Sequence, residues 1–257
     1  MKIVFIRHGD PDYINDTLTE RGIIEAEALA KHIDYWNIDD VYLSPLGRAQ
    51  DTAKYSLNKL NLNATTYDWL REFNPEVIIN ENNDFGDAYP DINEEDGTIK
   101  ADVCWDIVPG YLKKHPEYYE NPGWKSGDIC TQTDVLEKYE LVCNGLDAIL
   151  AKYGYIREGS CYKVEKESEK TIAIFCHFGV ICVMLSYLIN VSPFSLWHGL
   201  CIAPSAVTLV KTEERQQGIA SFRTHTIGDI SHLIMEKIEP SPAASFTEVF
   251  SDNEARH

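Results

Sequence analysis

The sequence predicts a three-layer α/β fold, in which a mostly parallel sheet has helices on both faces and an inserted cap. Four short apolar runs are typical of buried strands, and they lie near residues 3–6, 41–44, 65–69 and 171–176. Segments with apolar residues at helical spacing alternate with these runs, as in 18–35 and 134–152. Such alternation favours parallel strands joined by right-handed crossovers. The 257 residues, 44% of them hydrophobic, suffice for one large core with an insertion.

The first predicted strand ends at Arg7, His8 and Gly9. In an open α/β sheet, ligands bind at the carboxyl ends of the strands. The arginine can form two parallel hydrogen bonds with an oxyanion, and the glycine lets the backbone approach a bound group closely. Taken alone, the position of His8 fits two interpretations equally well: a functional residue or a hydrogen-bonded structural one.

The second predicted strand leads into a helix that starts with a polar signal. We expect Ser44 to be the N-cap and Pro45 to occupy the first helical position, which places Arg48 in the first turn. Free N–H groups and the macrodipole favour anions at the start of a helix. Arg48 is therefore expected beside an anion-binding position.

The late strand 171–176 is followed directly by His177, Phe178 and an apolar helix over 180–189. Two histidines thus follow two predicted strands. Farther on, the runs 206–211 and 219–224 flank a polar turn, which predicts a hairpin that adds an antiparallel edge to the sheet.

The regular pattern stops between residues 75 and 133, where acidic and asparagine-rich segments surround a group of aromatic residues. So long a connection usually has a function, although the aromatic residues can equally form only its own small core. We assign the core to 1–74 and 134–238, the cap to 75–133 and a flexible tail to 239–257.

Three motifs in this order resemble those of the histidine phosphatase superfamily, which includes the cofactor-dependent phosphoglycerate mutases. They are Arg-His-Gly at 7–9, the element SPLGRAQDTA at 44–53, and His177 after a late strand. Residues 18–22 also resemble the start of the family's first helix, and the likeness covers roughly 1–74 and 140–235. The resemblance implies a phosphatase fold and, for the small phosphatase branch, hydrolysis of phosphomonoesters with no metal and no cofactor.

The chemistry of phosphoryl transfer assigns a role to each motif residue. His8 is the expected nucleophile, which forms a phosphohistidine, while Arg7 and Arg48 bind the phosphoryl oxygens. His177, protonated beside the phosphate dianion, supplies a further donor. The resemblance implies that Glu72, just before the cap, is the proton donor, and a raised pKa would suit that role.

Other residues are candidates for the same site. Asp10 and Glu76 are rivals of Glu72 as the acid, and the alternative role of Asp10 is to cap a turn in the loop. Phe178 and Asn15 join Arg7, Arg48 and His177 as expected substrate-binding residues. The family often has an asparagine one position before Asn15, where this chain has Ile14, so contact between Asn15 and phosphate is left open.

The cap is acidic, whereas a mutase needs basic residues there to hold a diphosphorylated glycerate. A hydrolase is therefore favoured, with two alternatives: a phosphoglycerate mutase-type isomerase, or a phospho-ligand-binding module without catalysis. The expected partner is a small phosphorylated substrate, and the oligomeric state is left open.

Composition excludes several other classes. The net charge of −18 argues against a nucleic-acid partner, which would need a basic surface. No apolar stretch reaches the ~20 residues that span a membrane, and the start of the chain has no signal-peptide pattern, so we expect a cytoplasmic protein. The seven cysteines form no Cys-x-x-Cys pair, and we expect them to bind no metal.

Overall fold

The computed structural model describes residues 1–79, 85–89, 94–95, 98–101 and 103–243. Its strands are β1 (Lys2–Arg7), β2 (Pro11–Asp12), β3 (Thr17–Leu18), β4 (Asp40–Leu43), β5 (Ala64–Thr66), β6 (Val77–Ile79), β7 (Glu94–Glu95), β8 (Thr98–Ala101), β9 (Tyr155–Glu158), β10 (Cys161–Val164), β11 (Thr171–Cys176), β12 (Val207–Gln216) and β13 (Ile219–Asp229). Its helices are α1 (Glu20–His32), α2 (Gly47–Leu60), α3 (Pro109–Lys114), α4 (Asp128–Thr131), α5 (Val135–Lys152), α6 (Phe178–Ile189), α7 (Pro193–Gly199) and α8 (Ser231–Glu236).

Eight strands form the main sheet, in the order β5, β4, β11, β1, β12, β13, β10 and β9. The first four are parallel to one another, and the remaining four pair antiparallel. The predicted α/β class with a parallel core is therefore confirmed, and so is the hairpin, which is β12 and β13. The sheet as a whole is mixed, because β9 and β10 extend the antiparallel edge beyond the predicted hairpin.

Both faces of the sheet are apolar, which explains why the central strands are continuous hydrophobic runs. In β1, Ile3 and Phe5 belong to one buried cluster, whereas Val4 and Ile6 belong to another, as the two-residue period of a strand requires. Helices α1 and α2 contribute residues such as Leu29 to the second cluster, and α5 and α6 cover the first. The site lies at the end of this three-layer core where the central parallel strands finish.

The register of the central strands brings their carboxyl ends together. Arg7 at the end of β1 pairs with Cys176 at the end of β11, and β4 runs parallel on the other side of β11. The residues that follow these strands, His8, His177 and Ser44, are therefore neighbours. This edge is the one at which open α/β sheets bind ligands.

The predicted start of α2 is wrong by two residues. The helix begins at Gly47 with Leu46 as its N-cap, so Ser44 is not the cap and Pro45 is not the first helical residue. The cause is that a carboxylate from another loop takes the capping role, since Asp16 Oδ2 accepts from the Gly47 N–H at 2.6 Å. Arg48 still lies in the first turn, as expected.

Within 75–133 the described residues include β6, β7, β8, α3, α4 and short 3-10 turns. Side chains from this stretch, among them Tyr111, Tyr118 and Trp124, are buried and join the same cluster as α5 and α6. The aromatic residues therefore pack on the main core. Residues 80–84, 90–93, 96–97 and 102 of the predicted cap lie outside the described residues.

The predicted tail is described only up to residue 243, and 244–257 lie outside the described residues. Its first residues contact α1: the carbonyls of Glu239 and Pro240 accept from Arg21, and the Ser241 N–H donates to Glu25. Among the helices that the structure describes, none has the length and apolar character needed to cross a membrane.

We predict that Gly145→Ala in α5 lowers the free energy of unfolding. A Cβ at Gly145 would lie 2.3 Å from the Trp69 ring, so the indole must move, which costs about 1–3 kcal/mol and outweighs the helix propensity gained. Gly110→Ala in α3 is the matched control, because its Cβ would meet nothing within 4 Å. Urea denaturation measures both, and equal unfolding midpoints for the two variants would be inconsistent with this packing.

Candidate active site

His8 and His177 face each other at the ends of β1 and β11. Both residues are buried, with 1% and 0% of their surface exposed, and their ring centroids are 5.0 Å apart. The structure thus brings together the two histidines that the sequence places 169 positions apart (177 − 8). Their proximity follows directly from the parallel register of the two strands.

A backbone carbonyl fixes the tautomer of His8. Its Nδ1 lies 2.7 Å from the Gly9 oxygen, and because a carbonyl only accepts, Nδ1 carries the proton. The lone pair is then on Nε2. Burial and the nearby Arg7 charge lower the pKa of His8 well below its ordinary value, so the neutral, nucleophilic form predominates at neutral pH.

Gly9 is required by close packing. A Cβ there would lie 2.8 Å from the carbonyl oxygen of Gly22, at the start of α1. The Gly9 N–H donates to Thr52 Oγ1 at 2.9 Å, and the Thr52 hydroxyl donates to the Arg48 carbonyl at 2.8 Å. The loop after His8 is therefore joined to the helix that carries Arg48.

Both predicted arginines lie at the site and are almost fully buried. Arg7 Nη1 donates to the Ile202 carbonyl at 2.5 Å, and Arg48 Nη1 forms an ion pair with Asp16 at 2.7 Å. Asp16 binds both Arg48 and the start of α2, so it orients the guanidinium relative to the helix.

Three buried donor atoms at this site have no hydrogen-bond partner among the described residues. They are Arg7 Nε, Arg48 Nε and His177 Nδ1. Buried donors without a partner are costly, and they are rare unless a ligand or water satisfies them. Three such donors on cationic or titratable side chains are well suited to an anion.

His177 is oriented by Ser44, whose Oγ lies 2.7 Å from His177 Nε2. The Leu46 N–H donates to the same hydroxyl oxygen, and the hydroxyl proton is available to be donated to Nε2. His177 can then carry its proton on Nδ1 and donate from there while neutral. Burial, followed by the neighbouring His8, lowers the pKa of His177 well below its ordinary value, so in the unliganded site the ring is neutral.

Glu72 lies over the first turn of α6, the helix that follows His177. Its Oε1 accepts from the N–H groups of Phe73 at 2.7 Å and Val180 at 3.1 Å. Burial raises the pKa of this carboxyl group, although Arg7 acts against the shift. Because Oε1 accepts two bonds, a proton on the carboxyl group is carried on Oε2.

The other carboxylate candidates have different surroundings. Asp10 accepts from Thr19 Oγ1 at 2.6 Å and from the Ser241 hydroxyl, which fits the alternative role of a loop carboxylate. Glu76 is exposed. Of the three acids considered, Glu72 is the one that accepts a hydrogen bond from the first turn of α6, the helix that follows His177.

The two remaining predicted substrate-binding residues differ in their positions. Phe178 is partly exposed, and its ring centroid lies 5.8 Å from the Arg7 guanidinium carbon. Asn15 is exposed, and its side-chain amide donates to Asp12 at 2.8 Å. The structure therefore places Phe178 beside Arg7 and Asn15 in a local loop contact, and the roles of both stay predictions.

Sequence reasoning missed three residues of this site: Ser44 as the partner of His177, Asp16 as the partner of Arg48, and Tyr13. The Tyr13 ring lies 5.3 Å from the Arg48 guanidinium carbon. Only the position of Ser44, directly after a strand, signalled a role at the sheet edge. Asp16 and Tyr13 depend on how the loop between β1 and α1 folds.

All seven cysteines are free thiols, and within the described part of the chain no three His, Cys, Asp or Glu side chains are grouped so as to hold a metal ion.

The sequence model of the histidine phosphatase superfamily (branch 1) matches residues 3–96. This stretch contains Arg7, His8, Arg48 and Glu72, so the predicted resemblance is confirmed. A search of curated proteins finds no match.

Solved structures with this fold include several phosphatases. A mutant phosphoserine phosphatase from Entamoeba histolytica, in complex with phosphoserine, is 16% identical, with a TM-score of 0.55 over 90% of this chain and 98% of its own. The mycobacterial glucosyl-3-phosphoglycerate phosphatase, with inorganic phosphate, is 16% identical, with a TM-score of 0.53 over 90% and 98%. The α-ribazole phosphatase of Shigella flexneri is 19% identical, with a TM-score of 0.50 over 89% and 96%. At these identities the likeness establishes the fold.

The buried state of His8 predicts a specific pH dependence of stability. Because the folded pKa is lowered, the unfolded chain binds the proton first, and the stability due to neutral His8 is lost as pH falls below about 6.5. Relative to His8→Gln, the free energy of unfolding should therefore fall by about 1 kcal/mol between pH 6 and 5. Urea unfolding of both proteins at each pH measures this, and a difference that is constant with pH would rule out the neutral buried imidazole.

Proposed function

From this superfamily match and phosphatase fold, we propose that the protein is a phosphomonoester hydrolase that acts through a phosphohistidine on His8 and uses no metal ion. The observation that carries the proposal is the hydrogen bond from His8 Nδ1 to the Gly9 carbonyl. It leaves the Nε2 lone pair free in a buried site that also contains two arginines and unpartnered donors. The substrate is a small phosphorylated molecule.

In the first step, His8 Nε2 attacks phosphorus, the N–P bond forms, and the bond to the leaving oxygen breaks. Arg7 and Arg48 bind the non-bridging oxygens, and their unpartnered Nε–H groups are available to donate to these oxygens. Because the guanidinium groups keep their charge at any physiological pH, they stabilise the phosphoryl group throughout the reaction.

His177 donates to a phosphoryl oxygen from Nδ1. The neutral ring already offers this N–H because Ser44 can donate to Nε2. A bound dianion beside the ring would raise its affinity for a second proton, as the sequence analysis expects. The donor then strengthens as charge develops on the transferring group.

Glu72 transfers its proton to the departing oxygen. Burial raises the pKa of this carboxyl group, which favours the protonated form that an acid needs. The donated proton leaves from Oε2 while the Phe73 and Val180 N–H groups hold Oε1. In the second step the Glu72 carboxylate takes a proton from water, the water oxygen attacks phosphorus, and the N–P bond to His8 breaks. Inorganic phosphate and the starting enzyme result.

Two alternatives predict different products. A phosphoglycerate mutase-type isomerase would move the phosphoryl group between glycerate positions without releasing phosphate, and a binding module would bind phosphate esters without turnover. The hydrolase is favoured because the 75–133 segment is acidic and contains only four lysines and no arginine, whereas a mutase needs basic residues there to hold a diphosphorylated glycerate.

We expect the protein to release phosphate from 4-nitrophenyl phosphate in the presence of EDTA, and His8→Ala to lower kcat by a factor on the order of 10³ or more, since the nucleophile is removed. The exposed His225 supplies the control, and His225→Ala should retain full activity. Loss of wild-type activity in EDTA, or activity in His8→Ala equal to that of the control, would falsify the proposal.

Glu72→Gln should impair poor leaving groups more than good ones, because glutamine cannot donate the proton that an alkoxide needs. We expect a loss in kcat/KM, which reports the first step and not the shared attack of water, of about 10²-fold for an alkyl phosphate and little loss for 4-nitrophenyl phosphate. The exposed rival Glu76 provides the comparison, and Glu76→Gln should leave both rates unchanged. Equal losses for both esters in Glu72→Gln would show that Glu72 is not the acid.

A further inference from the structure

The space beside Glu72 must receive the leaving group, since the proton donor has to reach the departing oxygen. At this point α6 begins, and Gly179 has no side chain. A Cβ at Gly179 would lie 2.7 Å from Glu72 Oε1 and 2.9 Å from Trp105 Nε1. The carboxyl group and an indole from the 75–133 segment therefore meet over the same turn of the helix.

Two partly exposed rings form an aromatic wall at this position, Trp105 and Phe178. They meet edge to face, with centroids 5.5 Å apart. The Trp105 indole donates to the Phe73 carbonyl at 3.0 Å and stacks on Trp197, with centroids 6.3 Å apart. Phe73 and Trp197 are buried, whereas Trp105 and Phe178 are partly exposed, so buried neighbours hold the wall in place.

A third ring lies on the arginine side of the site. Phe178 contacts Arg7, while the ring of Tyr13 contacts Arg48. Tyr13 is 65% exposed, and the adjacent Ile14 is 95% exposed. Apolar and aromatic surface around a few convergent polar groups is typical of a site for an organic ligand.

The charge of the protein disfavours a leaving group with further negative charge. The net charge is −18, which opposes the approach of polyanions. The positive charge of Arg71 contributes to the lowered pKa of His177. However, the Arg71 side chain is 56% exposed and its Nε lies 3.9 Å from Asp68 Oδ1, so water screens its charge. A neutral ring needs no such cation, and it gains contact with the rings already present.

We propose that the aromatic wall of Trp105 and Phe178, with Tyr13 at the rim beside the arginines, binds the aromatic ring of an aryl phosphomonoester. This inference rests on the proposed hydrolase function and adds the substrate class. The ring packs on the wall, the phenolic oxygen lies beside Glu72, and the phosphoryl group lies between Arg7 and Arg48. As the P–O bond breaks, the Glu72 proton passes to the phenolic oxygen and a neutral phenol leaves.

The test compares esters whose leaving groups differ in shape but little in acidity. They are phenyl phosphate, 1-naphthyl phosphate and hexafluoroisopropyl phosphate, each assayed by phosphate release. Because one aromatic contact contributes up to about tenfold in binding, we expect 1-naphthyl phosphate to exceed the fluoroalkyl ester by about tenfold or more in kcat/KM. Phenyl phosphate should lie between them.

Variants assign this preference to the wall. Trp105→Leu should raise KM for the naphthyl ester by about tenfold more than for the fluoroalkyl ester, whereas Trp105→Phe keeps a ring and should retain most of the preference. Tyr13→Leu should raise KM for the aryl esters. Tyr35 is another strongly exposed tyrosine, on the 3-10 turn after α1, and Tyr35→Leu should have no effect.

The outcomes separate the two proposals. Release of phosphate from all three esters with no aromatic preference, or an equal loss for all three in Trp105→Leu, would overturn the aromatic site and leave the hydrolase intact. A preference for 3-phosphoglycerate that disappears in Arg71→Gln would overturn it in favour of an anionic leaving group. No turnover of any ester would reject the hydrolase itself.

Discussion

The site depends on the parallel pairing of β1 with β11 and on the turn that follows β1. Register places Arg7 beside Cys176, so the next residues, His8 and His177, must face each other. In the loop after β1, the Gly9 carbonyl accepts from His8 Nδ1. Both features are properties of the main chain, and together they orient a nucleophilic nitrogen without any polar side chain. The close contact with Gly22 explains why glycine is needed at the turn.

The second constraint is electrostatic. The protein has a net charge of −18, yet two buried arginines, Arg7 and Arg48, lie together at the carboxyl ends of the central strands. Each is anchored through one nitrogen, Arg7 by a carbonyl and Arg48 by Asp16, while its Nε is unpartnered within the described chain. Burial of such charge is costly unless an anion compensates it. The same burial lowers the pKa of His8, which favours the neutral ring that a nucleophile requires. It also raises the pKa of Glu72, which favours the protonated carboxyl group that an acid requires.

Sequence predicted the parts of the structure that depend on short-range pattern. The central strands, the hairpin and the positions of His8, His177 and Arg48 follow from apolar runs and strand ends. The start of α2 was misplaced because Asp16, from a distant loop, caps it instead of Ser44. Tyr13 was missed for the same reason, since its contact with Arg48 depends on the path of an irregular loop. Long-range side-chain contacts of this kind have no local periodicity to reveal them.

The buried position of His8 and the proton on its Nδ1 lead to one chemical prediction: the phosphoryl group is carried on Nε2. Quenching the enzyme in alkali during turnover and analysing it by 31P and 15N NMR identifies the phosphorylated atom. The geometry predicts a phosphohistidine at His8 Nε2, because Nδ1 carries the proton bound by Gly9. A phosphoryl group on Nδ1 of His8, or on any residue other than His8, would contradict it.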